Sequence, residues 1–198
     1  MIKNIIFDLG KVLVDYDYSE FFQKYNLGNT EIEFTRMSSF YEAFNRGDIS
    51  RNEFLLKLRI FLNTDKDLNS LAKDWASIFS LLVPMTKIAE ELSGKFEIFI
   101  FSNTDEIHFN HIKHKFKELS VFGENLMLSY ELGCLKPDEK AYTSALNKFT
   151  LFSEESLFID DRIENVKAAN DLGITAIHHL DFASTKQKLE EILGIHFK

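Results

Sequence analysis

A handful of polar residues, each at the edge of an apolar stretch, could do chemistry together. Asp8 ends the apolar run 3–7 (KNIIF), and Gly10 follows two positions on. Ser102 and Asn103 follow 96–101 (FEIFIF), and Asp160 and Asp161 follow 157–159 (LFI). Lys136 stands in the short segment GCLKPD. A carboxylate at the carboxyl end of a buried strand can act as a nucleophile, a metal ligand or both. Gly10 permits close backbone approach. A serine hydroxyl with neighbouring backbone N–H groups can hold anionic oxygens, and a lysine supplies a point positive charge to phosphate. Carboxylates from two strands can share a hard divalent cation such as Mg²⁺; without it they repel and push a pKa upward. This set suits phosphoryl transfer, where positioning and charge neutralisation do most of the work. The plain alternative for Asp8 and Gly10 is a strand-ending turn.

The elements that must position these residues follow from hydrophobic pattern. Residues 3–7, 96–101, 126–129, 157–159 and 174–177 read as strands, and most are short, continuous and apolar, as buried parallel strands are. Helices are predicted over 84–93, stopped by Gly94; over about 105–116; from Pro137, placed at the first helical position; over 163–172, stopped by Gly173; and over 184–193. Strands alternating with helices imply right-handed crossovers and a mostly parallel sheet, whose strand ends bring Asp8, Ser102 and Asp160/Asp161 to one edge. The stretch 15–79 is different, rich in helical periodicity and poor in strand pattern. Ser19 caps a first helix there, Asn29 or Thr30 a second, and Ser50 with Glu53 forms a capping box for a third over 51–62. A fourth carries Leu68, Leu71, Trp75, Ile78 and Phe79. The expected fold is α/β: a Rossmann-like parallel sheet flanked by helices, residues 1–14 and 84–198, with an inserted α-helical cap, 15–83, that excludes water and selects substrate.

Composition narrows the setting. The 198 residues carry a net charge of −8, and no basic stripe stands out, which argues against nucleic acid as a partner. One cysteine, Cys134, permits no intrachain disulfide and reads as structural. No apolar run is long enough to span a membrane and the N-terminus lacks the pattern of a signal peptide, so a cytoplasmic location is expected. The 20 phenylalanines should fill much of the core.

Four segments, FDLGKVLVDYD (7–17), FSNT (101–104), GCLKPD (133–138) and FIDDRIENVKAANDLG (158–173), resemble the motifs of the haloacid dehalogenase (HAD) superfamily hydrolases, in that family's order. The likeness is to the subgroup with a helical cap after the first strand, which includes bacterial sugar-phosphate phosphatases of the α-glucose-1-phosphate type. The resemblance implies an Mg²⁺-dependent phosphatase acting on a small phosphorylated metabolite. It implies Asp8 as the nucleophile that forms an aspartyl-phosphate, Gly10 as a metal-binding carbonyl, and Ser102 with Asn103 at the phosphate. Lys136 would steady the nucleophile and the phosphoryl group, and Asp160 and Asp161 would be the acidic metal pair, with Asp161 favoured as the direct ligand.

One position departs from the family pattern. Many family phosphatases carry a second Asp two residues after the nucleophile, as general acid/base; here that position is Gly10. Asp15, Asp17, a cap residue or solvent would have to move that proton, so good leaving groups or modest turnover are expected. Two other readings stand beside the phosphatase: a non-catalytic phosphometabolite-binding or regulatory protein, favoured by Gly10, and a haloacid dehalogenase, disfavoured by the acidic pair because that reaction needs no metal. His108, His111 and His114 recur every third residue on one predicted helix, a spacing that drifts around the helix and reads as a solvated face rather than a metal site. Residues 41–47 (YEAFNRG), at the end of a cap helix, either face the site and read the substrate or form a solvated turn.

Overall fold

The computed structural model describes residues 1–197. Its main sheet has five parallel strands, β1 (Asn4–Phe7), β4 (Glu97–Ser102), β5 (Leu126–Leu128), β6 (Ser156–Asp160) and β7 (Thr175–His178), in the order β5-β4-β1-β6-β7. β1 is central: Phe7 lies in register with Ile100 of β4 and Ile159 of β6. Helices α5 (Val83–Ser93), α6 (Glu106–Lys115), α7 (Ser129–Leu132), α8 (Glu139–Phe149), α9 (Ile163–Asp171) and α10 (Phe182–Leu193) connect and cover these strands.

Strand side chains alternate between faces, and each face is buried. Ile5, Phe7, Ile98, Ile100, Leu157 and Ile159 join Ile88, Phe109 and Leu189 of α5, α6 and α10 in one apolar cluster. Ile6, Phe99, Phe101 and Phe158 join Ala141, Tyr142 and Ala169 of α8 and α9 in another. Double coverage explains why the strands read as unbroken apolar runs.

Between β1 and β4 the chain leaves the sheet. It forms β2 (Val14–Tyr16), four helices, α1 (Ser19–Lys24), α2 (Thr30–Arg46), α3 (Arg51–Phe61) and α4 (Leu68–Ala76), and then β3 (Phe79–Leu81), antiparallel to β2. The helices pack around a third cluster that includes Phe22, Met37, Phe54, Leu58 and Trp75. Asn29 Oδ1 caps α2 by accepting from the Ile32 N–H at 3.1 Å, and Ser50 Oγ accepts from the Glu53 N–H at 3.3 Å.

Several local expectations are corrected. α4 ends at Ala76, and Phe79 belongs to the β2–β3 ribbon. Strands of three residues show no period of their own, and each finds its partner more than sixty positions away in sequence. Ser19 is the first residue of α1 and not its cap; its N–H donates to Asp17 Oδ1 at 2.7 Å. Pro137 lies ahead of α8, in a turn closed by the Asp138 N–H on the Leu135 carbonyl at 3.0 Å. α10 starts at Phe182, because Asp181 accepts from the Ser184 N–H at 2.8 Å. Cys134 is buried against Ala141 and Tyr142.

Candidate active site

The central position of β1 sets the geometry. The Asp8 N–H continues the ladder, donating to the Ile159 carbonyl at 2.8 Å, so Asp8 leaves the sheet between the ends of β4 and β6. Ser102 and Asp160 are the last residues of those two strands. Lys136 closes the group from the loop before α8. Its Nζ donates to Asp8 Oδ1 at 2.9 Å, Asp160 Oδ2 at 2.7 Å and the Phe101 carbonyl at 2.8 Å. These three acceptors use every proton of the ammonium group. The Asn103 amide holds the Lys136 backbone at both ends: Nδ2 donates to the Lys136 carbonyl and Oδ1 accepts the Lys136 N–H, each at 2.8 Å. Both ends of the Asn103 amide, expected at the phosphate, are thus engaged by the Lys136 backbone.

The two acidic neighbours are held differently. Asp160 is buried and saturated: Oδ1 accepts the Arg162 N–H at 2.8 Å, and Asn165 Nδ2 reaches both carboxylate oxygens at 3.0 Å. Asp161 is half-buried and takes no donor from another side chain among the described residues. Asp8, Asp160 and Asp161 each offer an oxygen within 4.8 Å of the others. Burial, with Asp160 and Asp161 reinforcing it and Lys136 opposing it, pushes the Asp8 carboxyl up to about 7. Burial and Asp160 also raise Asp161. Burial works against the Lys136 ammonium, yet the Asp8 and Asp160 carboxylates hold it above its ordinary value. Crowded all-oxygen donors that resist carrying their full charge are what a hard divalent cation fits.

A cavity of about 710 Å³ opens above this group. Asp8, Ser102, Lys136 and Asp161 line it from the sheet edge, and Tyr41 and Asn45 line it from α2. Gly10 lines it too, with the Tyr16 ring laid against it: a Cβ at position 10 would lie 3.0 Å from Tyr16 Cε1. Burial and the Asp161 and Asp8 carboxylates push the Tyr16 phenol up to about 12, so it stays protonated.

Residues 2–173 match the haloacid dehalogenase-like hydrolase family. The chain is a haloacid dehalogenase-like hydrolase. It is 25% identical over 206 residues to D-ribitol-5-phosphate phosphatase of Bacteroides thetaiotaomicron, covering 98% of this chain and 100% of that protein. It is 24% identical over 201 residues to the sesquiterpene phosphatase astK of Aspergillus oryzae, covering 97% of each. A HAD family enzyme of Bacteroides thetaiotaomicron, solved in complex with magnesium and inorganic phosphate, superposes with a TM-score of 0.79 at 22% identity, over 93% of this chain and 99% of that one.

In this HAD-like hydrolase, Asp15 and Asp17 do not line the cavity. The Asp15 carboxylate is engaged by Lys11 Nζ and by the Tyr16 N–H at 2.8 Å, and Asp17 is exposed and occupied by Ser19. The histidine row divides. His114 is exposed, but His108 is buried, where a solvated face was expected. Its Nδ1 lies 2.7 Å from Asp105 Oδ2, its Nε2 lies 3.0 Å from the Trp75 carbonyl, and its ring stacks on Trp75 at 4.9 Å. That contact ties α6 to α4. Asn165, Tyr16, Asp105 and Ser129 were not singled out by sequence. Asn165 and Tyr16 lie inside the segments 158–173 and 7–17, and Asp105 caps α6 by accepting from the Ile107 and His108 N–H groups, so each carried a local signal; the role of Ser129 depends on long-range packing.

Proposed function

We propose that this hydrolase is an Mg²⁺-dependent phosphatase that cleaves a small phosphorylated metabolite, sugar phosphates included, through an aspartyl-phosphate on Asp8. The observation that carries the reading is Lys136 Nζ bridging Asp8 and Asp160 at the floor of a cavity that Ser102 and Asp161 also line. The related D-ribitol-5-phosphate phosphatase supports it.

In this reading an Asp8 oxygen attacks phosphorus, the bond from phosphorus to the ester oxygen breaks, and the alcohol leaves. Water then attacks the phosphorus of the acyl phosphate, releasing inorganic phosphate and restoring Asp8. Lys136 holds Asp8 in place and offsets charge on the phosphoryl oxygens, which is where such sites gain most of their rate. Ser102, whose hydroxyl bonds no other described residue, takes a phosphoryl oxygen. Asp8, Asp161 and the Gly10 carbonyl would hold the cation, and Asp160 would orient Lys136 behind them. Bound Mg²⁺ supplies neutralisation of phosphoryl charge. With Gly10 in place of an acid, the departing oxygen takes its proton from solvent or from the cap side, where Glu42 lines the cavity.

Residues 15–83 act as the cap and residues 1–14 and 84–198 as the core. Among the described residues no helix is long and apolar enough to cross a membrane. A single cysteine permits no intrachain disulfide, which suits the reducing, cytoplasmic setting we propose.

The test is phosphate release from a panel of sugar, nucleotide and small organic phosphates, with Mg²⁺ and with EDTA. Turnover that needs Mg²⁺ and falls by roughly 10⁴-fold or more in Asp8→Asn is expected, since the covalent step is lost. Mg²⁺ binding without turnover on any ester would favour the phosphometabolite-binding reading.

A further inference from the structure

We propose that Asn45 is the specificity-determining contact for a hydroxyl group on the leaving-group side of the substrate, so that polyhydroxylated phosphate esters are preferred over alkyl ones. The inference rests on the phosphatase reading above and deepens it.

Ser38, Tyr41, Glu42 and Asn45 recur at spacings of three and four on α2, which places them on one face, and all line the cavity. Asn45 is 6% exposed. Its Nδ2 donates to the Tyr41 carbonyl at 2.9 Å. A carbonyl can only accept, so this bond fixes which end of the amide is which. The other end, Oδ1, is buried and has no hydrogen-bond partner among the described residues. Buried polar atoms in native structures are nearly always satisfied, so an orphan acceptor at a cavity wall points to a ligand donor. An alcohol hydroxyl can donate to that acceptor; a methylene cannot.

The wall that presents Asn45 is firmly set. Ser129 Oγ donates to the Asn45 carbonyl at 2.6 Å and accepts the Thr104 N–H at 2.9 Å, joining α2 to the loop after β4. At Gly47, a Cβ would lie 2.3 Å from the Tyr130 carbonyl oxygen, so backbone packs on backbone. A site built on such a support discriminates by geometry, because its contacts cannot drift to suit a wrong ligand.

The experiment uses two esters of equal chain length, a five-carbon polyol monophosphate and n-pentyl phosphate, with wild type and Asn45→Ala in Mg²⁺. Wild type is expected to favour the polyol ester in kcat/KM by roughly 10- to 100-fold, the range set by leaving a buried polar group unpaired. Asn45→Ala is expected to narrow that ratio by roughly tenfold. A variant that lowers both esters in proportion would show a purely structural role and overturn the inference. Equal efficiency of wild type on both esters would overturn it alone and leave the phosphatase reading standing; this arm holds even where the variant fails to fold. Phosphate release from neither ester, nor from the wider panel, would overturn the phosphatase reading and this inference together.

Discussion

At the carboxyl edge of the sheet, burial is polar: Lys136 Nζ, Asp8 and Asp160 meet at 2.7–2.9 Å, and Asn165 completes Asp160. In the α1–α4 segment, burial is aromatic: Trp75 sits among Phe21 at 5.1 Å, Tyr18 at 5.2 Å and Phe54 at 5.3 Å, mostly edge-on or tilted. The attraction of rings is spread over many weak contacts, so losing one costs stability through the cavity it leaves. Removing one member of the ionic group strands a charge in a medium that cannot solvate it. The same depth of burial therefore yields a region whose loss costs stability and a region whose loss also costs chemistry.

Lys136→Met and Trp75→Ala separate the two regions most sharply. Each is expected to cost about 3–5 kcal/mol of stability in urea melts. Lys136→Met should also lower kcat by roughly 10²–10³-fold, as loss of a charge-stabilising donor does. A Trp75→Ala protein that stays folded should keep most of its kcat, and an equal loss in both would erase the distinction. Asn165→Ala tests whether the hydrogen bonds behind Asp160 matter to the cation, with Mg²⁺ affinity by calorimetry expected to weaken roughly 10- to 100-fold. Unchanged affinity would confine Asn165 to packing.

The smallest effect lies at the rim of the aromatic region. Burial raises the Asp74 carboxyl, but Lys24 at 2.6 Å, Lys66 and Tyr25 at 2.5 Å overcome it and hold the group at about 2. A folded-state value below the unfolded one of about 3.9 stabilises the fold above that pH, and the contribution is lost as pH falls from about 4 to 2. Asp74→Asn should cost about 1–2 kcal/mol at pH 7, and the gap to wild type should close by pH 2. A gap that stays constant across acid melts would assign the loss to packing.

The parts of this molecule that were legible in sequence are those with local signals. β1, β4 and β6 announced themselves as apolar runs ending in Asp8, Ser102 and Asp160, and their parallel order placed those residues on one edge. Helix starts at Asn29 and Ser50 followed from cap chemistry. What was missed has no local period. The β2–β3 ribbon pairs residues such as Val14 and Leu81 across the whole helical insertion. His108 looked like one of three similar residues, and only the approach of α4 and Asp105 buries it while leaving His114 in water. Asn103 was visible as a polar neighbour of Ser102, but its grip on the Lys136 backbone spans 33 positions.

The Tyr16 ring against Gly10 makes the two positions depend on one another. An acid placed at position 10 would bring its Cβ to 3.0 Å from Tyr16 Cε1, so the ring, flanked by Tyr18 and Phe79 at 5.8 and 6.3 Å and covered by Lys11, would have to give way by a few tenths of an ångström. Building a proton donor beside the nucleophile is therefore a matter of positions 10 and 16 together.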